Sequence, residues 1–155
     1  MFRWKEGLFV KVLINQNTFS YARLLTFPLV IFYKGKFKEE QTTKKIASLD
    51  ILFKVWCHKS VRSIMEKVEY KELEPKLKEP VKFYKKDLIT KKLFIYENNK
   101  QYPATREQIK NLECAAVWEK EHILERLNAE LEGKESKYKK DLLRIVTHED
   151  SITQK

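Results

Sequence analysis

The sequence predicts an α+β domain: a small, strongly curved antiparallel sheet, or a partly open barrel, packed against C-terminal helices. Three observations lead there. Period-two apolar alternation fills the start of the chain, where Leu8, Val10, Val12 and Ile14 interleave with Phe9, Lys11 and Leu13. Turn clusters separate the early runs, which favours hairpins over parallel crossover units. Clean helical spacing is confined to the last third, where Ile123, Leu124, Leu127 and Leu131 recur three or four residues apart.

In chain order, Asn15-Gln16-Asn17-Thr18 reads as the turn of a first hairpin. Residues 19–26 return as its second strand, with Tyr21, Arg23 and Leu25 on one face. Leu29–Tyr33 is a wholly apolar run suited to a buried strand, ended by Lys34-Gly35-Lys36, and the charged stretch 36–45 is expected as an exposed loop. Residues 51–58 are the clearest interior strand. Phe53, Val55 and Cys57 form its core face, and Leu52, Lys54, Trp56 and His58 the opposite one. Residues 61–70 fit either a helix, through Val61, Ile64, Met65 and Val68, or a strand pair. Glu79-Pro80 breaks the chain before a strand at 81–84; another follows at 93–96, with Asn98-Asn99 as a turn. Thr105 and Gln108 form a capping box. Beyond it lies either one helix over 106–131 or a short helix ending near Leu112, a strand at 115–118 and a second helix. The second arrangement is favoured, because Glu113 and Lys120 interrupt a continuous apolar stripe. Gly133 suits a C-terminal cap. A further short helix is expected over 136–146 and a flexible tail over 148–155, leaving 1–147 as one domain.

Composition narrows the function classes. Hydrophobic residues make up 43% and charged residues 35%, a globular balance. The only glycines are Gly7, Gly35 and Gly133, so no glycine-rich loop exists to bring backbone amides onto a phosphate. The formal net charge is +10, which draws the chain towards acidic surfaces or polyanions. Lysines interspersed with Glu carry most of it, as point charges rather than planar forks. Cys57 and Cys114 make no disulfide framework and read as buried free thiols of a reducing compartment. The opening MFRWKEGLF lacks the apolar stretch of a signal peptide, and the longest near-continuous apolar run, 24–33, is half the length a bilayer requires. A cytoplasmic protein with no membrane partner is expected.

Few residues carry recognisable chemistry. Glu119, His122 and Arg126 share a helix face by their offsets. A single Glu-x-x-His lacks the further ligands a metal needs, and His58 and His148 have no ligand spacing, so no metal, cofactor or catalytic residue is expected. Glu113 and Arg126 are predicted to form a structural ion pair tying 115–118 to the last helix. Lys54, Trp56 and His58 make a mixed aromatic–cationic face, the first candidate for contact with a partner, which Phe9 and Leu13 would extend. Trp118 and His122 are further candidates; a Trp at that place is either an interface anchor or a core residue beneath a helix. The lysine groups around residues 34–38, 44–45, 85–86, 91–92 and 137–140, with Phe37, Phe83, Tyr84, Phe94 and Tyr138 nearby, read as solvated faces or as a phosphate-tracking surface with stacking aromatics.

The stretch Leu112-Glu113, Ala115-Ala116-Val117-Trp118, Glu121-His122-Ile123 and Arg126-Leu127 resembles the C-terminal signature of immunity protein family 26, a bacterial family associated with polymorphic toxin systems. The likeness extends to Phe2-Arg3-Trp4-Lys5-x-Gly7-x-Phe9, Tyr21-Ala22-Arg23-Leu24, residues 50–55, Glu79-Pro80-x-x-Phe83, Asp87 and Ala104-Thr105. The chain departs from the family pattern at Met65 and Val68-Glu69, where a Trp and an Ile-Gly pair are usual, and at Lys120, where a proline usually opens the helix. The resemblance implies a cytoplasmic antidote that binds and blocks a cognate toxin through a complementary surface and catalyses nothing. With a charge of +10, its toxin would present an acidic surface. Some relatives carry a phosphotriesterase label. Hydrolysis of organophosphate esters would need metal-held hydroxide or a Gly-x-Ser-x-Gly elbow, and three scattered histidines supply neither. A small basic nucleic-acid-binding domain is the other alternative.

Overall fold

The computed structural model describes residues 2–140. The tail 148–155, the end of the helix expected over 136–146 and the domain boundary at 147 fall outside the described residues.

The first hairpin forms as the alternation requires. Strand β1 (Leu8–Leu13) pairs antiparallel with β2 (Phe19–Leu24), setting Phe9 opposite Arg23 and Lys11 opposite Tyr21. Asn15 closes the turn: its Oδ1 accepts the amides of Asn17 and Thr18, each at 2.9 Å. Gly7 opens β1 at φ 98°, a conformation that suits glycine. A Cβ there would run into the carbonyl oxygen of Lys71, so the close approach of the two backbones also needs glycine. Strands β3 (Leu29–Tyr33) and β4 (Ile51–Cys57) continue antiparallel, with Ala22 opposite Phe32 and Val30 opposite Val55.

The stretch left open between helix and strands divides. A 3₁₀ turn covers Lys59–Ile64, capped by His58 Nδ1, which accepts the Ser60 amide at 3.1 Å. Strand β5 (Met65–Tyr70) then pairs with β1. The charged stretch expected as a loop also needs correction. It ends in helix α1 (Thr43–Ser48), with Thr42 as N-cap and Ile46 fully buried. A six-residue helix shows less than two turns of apolar period, and Lys44-Lys45 masks its buried side.

The second sheet contains β6 (Phe83–Lys86), β7 (Leu93–Glu97), β8 (Lys100–Pro103) and β9 (Glu113–Cys114), in the order β8-β7-β6-β9. Asn98 and Asn99 turn β7 into β8 at φ 50° and 61°, the two positive φ values of a tight hairpin turn. Strand β8 has no apolar alternation, all its residues are exposed, and only the hairpin register defines it. Its Pro103 is tolerated because β8 is an edge.

Helix α2 (Arg106–Ile109) begins with the expected capping box: Thr105 Oγ1 accepts the Gln108 amide at 3.3 Å, and Gln108 Oε1 accepts the Thr105 amide at 2.9 Å. The chain then crosses between sheets. Strand β9 runs parallel to β6, and after Ala115-Ala116 the two-residue β10 (Val117–Trp118) runs parallel to β4. These parallel pairings depart from the wholly antiparallel expectation. The six-stranded sheet therefore reads β10-β4-β3-β2-β1-β5. The α+β class holds, but the strands divide between two sheets, and neither closes into a barrel.

Helix α3 (Lys120–Leu131) covers one face of the six-stranded sheet. Ile123 and Leu127 join Trp118, Val61 and Met65 over Leu8, Val10, Val12, Leu24, Phe32, Phe53 and Val55. Gly133, at φ 74°, ends the helix, and the Lys134 amide donates back to the Ala129 carbonyl at 2.8 Å. The other face packs Phe9, Tyr21, Leu25, Ile31 and Tyr33 beneath Ile46 and Leu73. Strand β2 is thus buried on both sides. Each fully buried large apolar side chain here contributes about 1.5–3 kcal/mol relative to exposure.

Candidate functional site

The face of β4 opposite the main core meets the second sheet at Trp56. Its ring lies 4.5 Å from Phe83 and 5.5 Å from Tyr96, edge-on to the latter. Beside this contact is an open cleft of about 510 Å³. One wall is the β2–β3 corner, Leu25 to Leu29; the other is Leu73, Leu77 and residues 78–81; Asn98 and Asn99 stand at the end. The corner contains the cis Phe27–Pro28 peptide. Phe27 is 60% exposed, yet it is held in place: its ring lies 5.0 Å from Trp4 in an edge-to-face contact, and the Trp4 indole N–H donates to the Leu25 carbonyl at 2.8 Å. Glu6, Lys78 and Glu79 supply charges of both signs around the cleft.

The candidate partner-binding residues separate. Trp56 is half-buried between the sheets and lines the cleft. Lys54 lies elsewhere, on a pocket with Arg23, Tyr33 and Glu74. His58 is half-buried and spends its ring nitrogen on the cap at Ser60. So the expected aromatic–cationic face is not one surface, because the second sheet covers its Trp. Phe9 does not extend it either: the ring is 1% exposed, beneath the Arg23 guanidinium at 4.2 Å. Trp118 as a surface anchor requires the plainest correction. It is 1% exposed, in the core under α3, so no partner reaches it in this fold. His122 stacks on Tyr138 at 3.8 Å with its ring nearly parallel, and Tyr138 meets Trp118 edge-on at 4.8 Å. Both His122 Nδ1 and Trp118 Nε1 are buried without a hydrogen-bond partner among the described residues.

Glu113 and Arg126 do come together. Arg126 is fully buried; its Nη1 and Nη2 donate to the two oxygens of Glu113 at 3.0 and 2.5 Å, and its Nε donates to Glu130 at 2.7 Å. The guanidinium also lies 4.0 Å from the Phe53 ring centroid and 4.9 Å from that of Trp118. Since Glu113 belongs to the second sheet and Arg126 to the helix covering the first, this bidentate pair clasps the two layers.

Several ionisable side chains have structural surroundings. Burial pushes the Cys57 thiol up, so it stays protonated at neutral pH. Burial likewise raises Cys114, against the opposing effect of Tyr84, and raises Tyr84 itself. The Glu113 and Glu130 carboxylates share the Arg126 guanidinium in two ion pairs. Among the described residues, no three His, Cys, Asp or Glu side chains gather as metal ligands. The cleft offers a pre-placed aromatic, a lining of mixed polar and apolar residues and backbone at a sharp corner. Sequence reasoning missed Phe27, which lies outside the strands; its link to Trp4 exists only in the folded chain. No family model, curated protein or solved structure matches this chain.

Proposed function

We propose that this chain is a toxin-neutralising immunity protein, which binds a cognate bacterial protein toxin in the cytoplasm and blocks it without chemistry of its own. One observation carries the reading: Phe27 stands exposed beside a cleft of mixed polar and apolar lining and is fixed there by Trp4. Single exposed hydrophobic side chains are common on monomers; what sets Phe27 apart is that Trp4 fixes it beside a pocket, as interface anchors are rigid aromatics beside a pocket with a polar rim. The sequence resemblance to immunity protein family 26 points the same way. The charge of +10 favours a toxin whose contact surface is acidic and speeds the encounter.

Titration calorimetry of the protein with the toxin domain encoded beside it tests this. Binding is expected, with Phe27→Ala weakening it by about thirtyfold, the effect of losing a hot-spot side chain of about 2 kcal/mol. Absence of binding, with the toxin's activity undiminished by excess protein, overturns it. Retention of nucleic acid that falls steeply with salt would favour the nucleic-acid alternative instead.

A further inference from the structure

The hairpin between β6 and β7 bears a feature unrelated to the cleft. Residues 85–92 read Lys85-Lys86-Asp87-Leu88-Ile89-Thr90-Lys91-Lys92. Asp87 organises the turn: its carboxylate accepts the amides of Ile89 at 2.8 Å and Thr90 at 2.9 Å, and its carbonyl accepts the Lys91 amide at 2.8 Å. The Asp87 amide completes the closure by donating to the Lys92 carbonyl at 2.9 Å. The two amides at Thr90 and Ile89 hold the Asp87 carboxyl below the usual carboxylate range, so the turn is set at neutral pH. Its effect is to push two adjacent aliphatic side chains into solvent. Leu88 is 71% and Ile89 92% exposed, more than any other large hydrophobic side chain described.

We infer that this hairpin tip is an interfacial anchor for anionic lipid: Leu88 and Ile89 enter the headgroup–acyl boundary while the exposed Lys85 and Lys92, one on each arm, lie against the headgroups. Charge and shape both support a lipid surface. The apolar residues project at the apex and the cations flank them on both arms, which is the order in which a shallow wedge meets hydrocarbon and headgroup. Protein hot spots favour Trp, Tyr and Arg; Lys is depleted at interfaces and Leu under-represented among hot spots, so this composition fits a protein groove poorly. The apex holds no ring to stack on a base and no guanidinium to fork onto one. No helix among the described residues is long and apolar enough to cross a membrane, but a wedge at the surface needs none. The anchor would be weak and reversible, and it stands independently of toxin binding.

Sedimentation of the full chain with vesicles tests it, using phosphatidylcholine alone and phosphatidylcholine with about a third phosphatidylserine. Retention is expected on the anionic vesicles at low salt and not on the neutral ones. Ile89→Asp should cut that retention by about tenfold, as should Lys85→Gln with Lys92→Gln, with circular dichroism melts unchanged because these side chains are exposed. Two results overturn the inference. One is no retention on anionic vesicles, including the case where Ile89→Asp instead weakens binding to an acidic protein. The other is retention of Ile89→Asp equal to the parent, which would mark general attraction of a basic chain.

Discussion

The six-stranded sheet is covered on both faces, by α3 and Trp118 on one side and by Ile46 and Leu73 on the other. The four-stranded sheet has a smaller core of Tyr84, Ile95 and Ile109, an outer strand with every residue exposed, and a connecting hairpin that lifts Leu88 and Ile89 into solvent. Both described arginines that are fully buried, Arg23 and Arg126, sit in the layers of the first sheet. Arg23 is satisfied mainly by main-chain oxygens, those of Gly7, Lys71 and Glu72, plus the Glu74 carboxylate; Arg126 is held by two carboxylates. A thick layer can bury a cation because it brings enough acceptors within hydrogen-bond reach of it. Among the described residues, no arginine or lysine of the second sheet is fully buried. The first sheet holds most of the core and carries Phe27 at its β2–β3 corner; the second lifts Leu88 and Ile89 into solvent.

The hardest test of this division is the clasp. Arg126→Met should destabilise the protein by about 3–5 kcal/mol in urea unfolding, because Glu113 and Glu130 lose their shared cation. A double-mutant cycle with Glu113→Gln should show coupling of at least about 1 kcal/mol. Independent unfolding costs for the two residues would break the comparison, since the sheets would then be held by something else.

Trp56→Ala should cost about 1–3 kcal/mol, less than full loss of a core Trp, because the ring is half-buried between Phe83 and Tyr96. Amide hydrogen exchange sharpens the point. Amides of β7 and β8 should exchange through openings of lower free energy than those of β2 and β3, and Trp56→Ala should widen that gap.

A smaller effect is expected at Glu74, whose carboxyl is more than half exposed. Burial alone would raise it, but its own backbone amide and the Arg23 guanidinium outweigh burial and lower it from 4.5. A depressed folded value means that this pair stabilises fully above about pH 4.5 and that the contribution is lost as pH falls through the folded value. Glu74→Gln should cost about 0.2–1 kcal/mol at neutral pH and flatten the stability profile in acid. The smallest effect is at the β7–β8 turn. Asn98→Gly frees a left-handed position and should raise stability by a few tenths of a kcal/mol, read as a slight rise in Tm.

Sequence alone made the first sheet readable where alternation reflects burial: Leu8, Val10 and Val12 point to the core, as do Phe53, Val55 and Cys57. Helix α3, the Gly133 cap and the capping box at Thr105 were equally legible, because local chemistry determines them. Tertiary context decided the rest. Ile46 is a single buried residue in a lysine-rich segment, and β8 exists only through its partner strand. Trp118 carries the same sequence signal as anchor or core. Arg23 is a cation in the most buried strand, which no hydropathy pattern anticipates; Gly7 and residues 71–74 supply its acceptors from far along the chain. The cleft was only half legible, through Trp56, because Phe27 gains its meaning from Trp4.

The segment Glu113 to Trp118, which is stitched to both sheets, lies late in the chain. During synthesis, strands β1 to β8 leave the ribosome before the edge strand and helix that cover Phe53, Val55 and Cys57. Until then one side of the first sheet stays greasy and its β4 margin unpaired, an invitation to chaperones and to self-association. A nonsense codon near residue 112 would therefore yield a sticky fragment rather than a smaller working protein.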